Sequence, residues 1–409
     1  MLQKERFFKQ SKSYDIEVKF KDLDLSNEII SLRVLSSIHT PYMIFVLDLF
    51  IDSNDIILEK LYGKDPLKIK IRLLGQEGIQ KEDLDFELMY VKSDFKFVNK
   101  MKLSTNKQID RTPIKIYCVP RNEFKIASKN INIVFEGKTI KEILQDLSQK
   151  AGGMLKIDED GINKEKIDQI IIPPMSFVKS VKYLNDMFGI YDEPYRMSIE
   201  EKNKIKILNL SKQMNKSQTF TIYHLTNDKD DRKIIEKCND GKNFYTYDVL
   251  KSNYSANTKF PLLGNTIKHI TKPTDKLYHI IEQNIKDVCS NHGLISKNKD
   301  FPFDPNLSER VKYYTNHTGY ETSKTFANSM VSKFISSMAT LTFRIERNLL
   351  IENLLNTGEA VKFNTGTVEY SDLSGKYILR STELILTKGQ TQDWTSVAKV
   401  NLMRTNKTS

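Results

Sequence analysis

From Tyr14 onward the chain alternates: Tyr14, Ile16, Val18 and Phe20 are apolar, while Asp15, Glu17 and Lys19 between them are charged. A two-residue period buries one side only if the backbone is extended, because successive strand side chains point to opposite faces. The pattern returns at Ile30, Leu32 and Val34, and again at Leu67, Ile69, Ile71 and Leu73. The stretch Tyr42–Ile51 is apolar on both faces, as a strand covered on both sides would be. Further strands are expected near Phe86–Val91 and Ile114–Val119. Short, regular strands without long helices between them predict a small antiparallel barrel or sandwich over residues 11–118.

The period then changes. After a strand at Ile131–Phe135, Thr139 and Glu142 form a T-x-x-E capping box, and Ile140, Ile143, Leu144, Leu147 and Ala151 make one apolar helical stripe. Gly152 and Gly153 end it. A second helix is capped by Ser176, carries Phe177, Val181, Leu184 and Phe188 on one face, and stops at Gly189. Lys204–Leu210 returns to strand, so residues 125–212 read as an α/β module.

Strand patterning resumes at Thr219–Leu225. Residues 266–337 read as a helical insertion, with helices near Lys276–Cys289 and Thr322–Met338 around the polar loop KNKDFPFDPN. Beyond it, Leu341, Phe343 and Ile345 alternate. Strands at Glu359–Phe363, Lys376–Leu386 and Trp394–Leu402 follow, punctuated by Gly358, Gly375 and Gly389. The fold class is therefore mainly β with an α/β module. Its parts are residues 1–124, the module at 125–212, a second β unit from 213–265 plus 338–409, and the insertion at 266–337.

Composition narrows the function classes. The 409 residues are too many for one ordinary core. The longest aliphatic–aromatic run, Met43–Leu47, is far too short to cross a bilayer, and MLQKERFFKQ lacks the apolar region of a secretion signal. Cys118, Cys238 and Cys289 are odd in number and widely spaced, which fits reduced thiols. The net charge of +11 suggests an acidic partner, but 63 basic residues are interspersed with 52 acidic ones. A Lys-rich solvated surface accounts for most of that charge. A basic, nucleic-acid-associated virion or replication protein is the alternative the charge supports.

Signatures of chemistry are absent. His39, His224, His269, His279, His292 and His317 form no HxH or HExxH spacing, and GxGxxG, GxxxxGK[ST] and GxSxG do not occur. Asp85/Glu87 and Asp186/Asp192/Glu193 are loose carboxylate groupings that read as solvated surface. Gly358-Glu-Ala-Val-Lys-Phe reads as a turn entering a strand. No catalytic, cofactor-binding or metal-binding residue is assigned. The 39 Phe and Tyr residues, many beside loops, suit cores and protein interfaces.

Three stretches together carry a resemblance: INIVFEGKTIKEILQDLSQKAG, then IIIPPMSFVKSVKYLNDMFGIYDEPYRMSIEEKNKIKIL, then GEAVKF followed by LSGKYILRSTELILTKGQTQDWTSVAKVNLMR. In this order they resemble the baseplate central-hub family of contractile-tailed, T-even-like bacteriophages. That family is related to late-control tail proteins and to the N-terminal part of type VI secretion spike proteins. The resemblance implies two tube-like antiparallel β-barrels per chain and a homotrimer whose six barrels form a ring. Such a ring adapts the hexameric tail tube to the trimeric central spike, beside wedge or sheath-initiator proteins. It also implies a virion location after assembly in the host cytoplasm, no cofactor, no specific nucleic acid and no enzymatic activity. If a strand face lines the channel of such a ring, Lys68, Lys70 and Arg72 are the candidates, since they share one side of a cleanly alternating strand.

Overall fold

The computed structural model describes residues 13–20, 23–52, 67–74, 83–95, 111–191, 195–225, 234–235, 238, 242–247, 251–254, 266–271, 279–284, 310–314, 339–346, 355–366, 373–389 and 394–404. The N-terminal strands are β1 (Ser13–Phe20), β2 (Leu23–Asp24), β3 (Ile29–Ser37), β4 (Ile44–Asp52), β5 (Leu67–Leu74), β6 (Asp83–Phe95) and β7 (Arg111–Pro120). All pair antiparallel, in the order β3-β4-β7-β6-β5-β1-β2. The alternation expected from sequence is the one observed: Ile16, Val18, Leu32, Val34, Leu47 and Ile69 are buried on the inner face.

The middle module comprises α1 (Arg121–Ala127), β8 (Asn130–Thr139), α2 (Ile140–Ala151), β9 (Met154–Ile157), β10 (Lys166–Ser176), α3 (Phe177–Phe188), β11 (Tyr195–Glu200), β12 (Lys204–Asn209) and the short α4 (Leu210–Asn215). The capping box is made in full: the Glu142 amide donates to Thr139 Oγ1, and the Thr139 amide donates back to the Glu142 carboxylate at 2.8 Å. Gly152 ends α2 at φ 87°, a left-handed cap that spares it a Cβ penalty. Ser176 caps α3 as expected. Ile143, Leu144, Leu147, Val181 and Leu184 are fully enclosed in this module's own core. The IIIPP segment is the end of strand β10, which runs directly into α3. Pro173 and Pro174 lack ladder donors and sit where the β8–β10 register shifts, between Ile172 and Met175.

The C-terminal strands are β13 (Phe220–His224), β14 (Asn243–Thr246), β15 (Lys251–Tyr254), β16 (Thr266–Thr271), β17 (His279–Asn284), β18 (Arg310–Tyr314), β19 (Ala339–Glu346), β20 (Ala360–Thr365), β21 (Gly375–Lys388) and β22 (Trp394–Arg404). Two findings correct the sequence reading. The helix expected near Lys276–Cys289 is not there: His279–Asn284 is strand β17, paired antiparallel with β16, which also takes β18 in parallel. Adjacent β-branched Ile280 and Ile281 satisfy a pleated ladder once a partner strand is supplied, and that long-range pairing overrides a local helical pattern. The helix expected near Thr322–Met338 lies outside the described residues. In addition, β13 runs parallel to both β14 and β20, so this half is not purely antiparallel.

The two β-rich ends do not remain apart. Ser31–Ser37 of β3 pair antiparallel with Ser381–Thr387 of β21, which also pairs β20 and β22. This joins both ends into a sheet of 14 strands among the described residues. One core runs through it, from Phe45 and Ile116 to Phe363, Leu384 and Val400.

Candidate functional site

The β3–β21 seam is where the ends of the chain meet, and its outer face is built across six strands. The register aligns Val397, Ile385, Arg33, Val46, Tyr117 and Lys92 in one row over β22, β21, β3, β4, β7 and β6. Arg33 holds the seam from both sides, 3.3 Å from Asp48 on β4 and 4.0 Å from Glu383 on β21. Asp48 also accepts from Ser31 Oγ at 2.6 Å and faces Lys115 at 3.5 Å. Lys92 lies over the Tyr117 ring at 4.4 Å. Each half-exposed pair adds about 0–1 kcal/mol, so the network sets register more than stability.

Lys68, Lys70 and Arg72 lie on β5, the central strand of β1-β5-β6. Lys68 is exposed, Lys70 half-buried, and Ile69 between them is in the core. Arg72 is placed here by its strand register alone. That register sets Lys19 opposite Lys68, Glu17 opposite Lys70 and Asp15 opposite Arg72 on one side, and Glu87, Asp85 and Asp83 opposite all three on the other. Lys70 Nζ is 3.9 Å from Asp85. The three cations are thus interleaved with carboxylates, and their face is not a positive strip. In the Asp85/Glu87 grouping, Glu87 pairs with Arg121 at 3.3 Å. Of the other grouping, Asp192 and Glu193 lie outside the described residues. No cluster of metal-ligating groups occurs among the described residues, and no helix there is long and apolar enough to cross a membrane. Cys118 is enclosed, and burial pushes its thiol up to about 12.

A cleft of about 390 Å³ opens where the N-terminal strands, the module and the C-terminal strands converge. Its walls come from the β3–β4 loop, β6, α1, β11 and the segment at Leu355–Asn356. Three contacts fasten it. The Ile199 amide donates to the Pro41 carbonyl at 2.7 Å, Ser36 Oγ donates to the Leu355 carbonyl at 2.7 Å, and Tyr42 meets Phe124 edge-on at 5.9 Å. Arg196 reaches into the cleft from β11 across Gly358. That glycine is left-handed at φ +88°, and a Cβ on it would stand 2.5 Å from Arg196 Cδ. The absence of a side chain is what gives the arginine its path.

Arg196 is desolvated, and burial pulls its pKa down to about 10, while Glu200 and Glu359 oppose the shift by favouring the cation. Arg196 Nε and Glu359 Oε2 are both enclosed without a hydrogen-bond partner among the described residues. Four acids line the cleft: Asp85 pairs with Lys70, Glu87 with Arg121 and Glu200 with Lys206 at 2.6 Å, and Glu123 joins them from α1. Sequence reasoning marked Gly358 as a turn and passed over Arg196, which no local pattern distinguishes from any other strand arginine.

The architecture is shared with known proteins. The family model described as "Bacteriophage PBS1 gene 109 protein" matches residues 91–397. The crystal structure of a tail protein from Neisseria meningitidis MC58 superposes with a TM-score of 0.56 at 9% identity, covering 96% of this chain and 97% of that one. The 43 kDa tail protein of prophage MuSo2 from Shewanella oneidensis gives 0.52 at 11% identity, covering 96% and 98%. At such identities the likeness is one of fold. No curated protein sequence matches the chain.

Proposed function

The chain belongs to the family of the bacteriophage PBS1 gene 109 protein, and from that premise we propose that it is a structural, non-enzymatic hub of a contractile phage tail. In this reading three copies close a ring that seats the hexameric tail tube on one side and the trimeric spike on the other. The observation that carries it is the β3–β21 seam, in a fold shared with phage tail proteins over nearly the whole chain. One protomer presents two β-rich units already joined edge to edge. Three protomers therefore supply six units of one continuous wall. The units are residues 1–124 and residues 213–265 with 338–409, each a tube-like barrel. The module at 125–212 supports them, and 266–337 is an insertion at the periphery. Lys68, Lys70 and Arg72 line the channel in this arrangement, where their interleaved carboxylates leave a nearly neutral wall that a passing polymer would not adhere to. Wedge or sheath-initiator proteins contact the outside. The protein resides in the virion and is assembled in the host cytoplasm.

Open strand edges are what a ring would cover, since unpaired ladder groups are hazards on a solitary protein. An interface of order 2,000 Å² or more is expected for such an obligate contact. Light scattering across a salt series tests the reading. A particle of about three times 47.5 kDa that persists at moderate salt is expected. A monomer under all conditions, with and without tube and spike proteins, would refute the ring. Tight DNA binding that falls steeply with salt would instead favour the nucleic-acid alternative.

A further inference from the structure

We propose that β8 is a self-association edge: two copies of the chain pair their β8 strands antiparallel across a two-fold axis centred on Val134. Three features of the module point there. The first is the edge. Strands β8 and β10 form a two-stranded sheet of their own, 10 and 11 residues long. Each has the other as its one ladder partner among the described residues. Successive strand residues turn their backbone groups to opposite sides, so half of the N–H and C=O groups of β8 face away from β10. Asn130, Asn132, Val134, Glu136 and Gly137 are all exposed. On β10, Pro173 and Pro174 are consecutive, so one missing donor falls on its outer side, and proline guards an edge in this way. Strand β8 carries no such guard.

The second feature is an apolar pair on the solvent face. The inner side of the ribbon sends Ile131, Phe135, Ile170 and Ile172 into the module's core. The outer side is expected to be polar. Yet Val134 and Ile171 stand directly opposite one another on it, 49% and 44% exposed. The third feature is that β8 fits itself. With the axis at Val134, that residue faces its own copy, Asn132 faces Glu136 of the second copy, and Asn130 faces Lys138 of the second copy. No charge meets a like charge, an arrangement that opposed strand positions penalise. Ile133 meets Phe135 of the second copy on the inner side. Moving the centre one residue either way sets Val134 against Glu136 or Asn132, so the strand specifies its own register. The product is a four-stranded sheet, β10-β8-β8-β10, with Ile171, Val134, Val134 and Ile171 in one apolar row. Such a contact is isologous, the same patch on both chains, whereas a threefold ring sets one patch against a different one. It therefore joins chains of separate rings and does not rest on the ring reading.

The test uses the full chain with cysteine placed at exposed positions, oxidised mildly and read on non-reducing gels against the wild type. Opposed Cα atoms of an antiparallel pair lie about 4.5–5.5 Å apart, within the span of a disulfide. Val134→Cys should link to itself, Glu136→Cys alone should not, and Glu136→Cys mixed with Asn132→Cys should link the two variants. Charge supplies a second reading, by sedimentation velocity at one total concentration. Val134→Asp and Val134→Lys should each abolish pairing, and their equimolar mixture should restore it. Linking of Glu136→Cys equal to that of Val134→Cys, no linking above wild type, or no rescue in the mixture would each overturn the proposal, leaving β8 as an edge for a strand of another protein. Loss of trimer mass in Val134→Asp would overturn it too, by placing Val134 inside the ring. A wild type that runs between monomer and dimer refutes the ring and supports this contact, so the two readings fail separately.

Discussion

Substituting Gly358 by Ala separates two costs that the structure places at one residue. The first is conformational. At φ +88° a Cβ is strained, which costs about 1–2 kcal/mol for a non-glycine residue. The second is steric. The new methyl would stand 2.5 Å from Arg196 Cδ and 3.0 Å from Nη1, against an ordinary carbon contact of about 3.5–4.0 Å. Relieving it displaces an enclosed arginine, an overpacking cost of about 1–3 kcal/mol. Together Gly358→Ala should cost about 2–5 kcal/mol. In an Arg196→Ala background the steric part vanishes and about 1–2 kcal/mol remains, giving a coupling of about 1–3 kcal/mol. Urea unfolding at one fixed protein concentration measures this through the fluorescence of Trp394, the sole tryptophan, which is 7% exposed in the joined sheet. If Gly358→Ala costs the same in both backgrounds, Arg196 does not lie against Gly358 and the geometry of the cleft is wrong.

Three further outcomes follow from the fold. Leu147 is fully enclosed on α2, so Leu147→Asp should cost several kcal/mol, about what losing a core leucine and burying a charge demand. Gln145→Asp on the exposed side should be nearly silent, and a melt of Leu147→Asp within a degree or two of wild type would reject the face assignment. Thr139→Ala removes the capping box and should cost about 1 kcal/mol at pH 7. The Thr139 amide first, and its hydroxyl second, hold the Glu142 carboxyl below its ordinary pKa; Thr139→Ala removes the hydroxyl's share, which is present above the unfolded pKa and is lost as pH falls through the folded one. The wild-type advantage should therefore narrow in acid, and urea midpoints from pH 7 to pH 3 check it. Cys118, with its thiol pushed up to about 12 and 0% exposed, should resist iodoacetamide at pH 8 until the chain unfolds, whereas half-buried Cys238 should label before it in a mass-spectrometric time course.

Much of this protein was legible from local pattern alone, wherever the determining physics is local. The capping box at Thr139 and Glu142, the stop at Gly152, the buried stripe of α3 and the inward rows of β1, β3 and β5 need only a few neighbouring residues to be recognised. The resemblance of three separated stretches to tail-hub proteins is likewise carried by sequence alone. Other features could not be read this way. Whether His279–Asn284 is helix or strand depends on a partner strand at Thr266–Thr271, and a short apolar run carries no record of that partner. The parallel pairing of β13 with β14 and β20 is equally silent in sequence, since a strand's alternation is the same whichever way its neighbour runs.

The larger division is between what a residue buries and what it meets. Alternation and helical spacing determined which side chains leave water, because desolvation acts on each residue whatever its partner. Only the tertiary structure decided that β3 takes β21 as its neighbour, closing Arg33 between Asp48 and Glu383. It alone laid Arg196 across the bare backbone of Gly358. It also set Lys68, Lys70 and Arg72 beside a row of carboxylates on β6 and a mixed row, Lys19, Glu17 and Asp15, on β1, turning what alone reads as a basic strip into a balanced one. Electrostatic pairing and close packing act at distances of a few ångströms between residues far apart in the chain, so they exist only once the chain has folded.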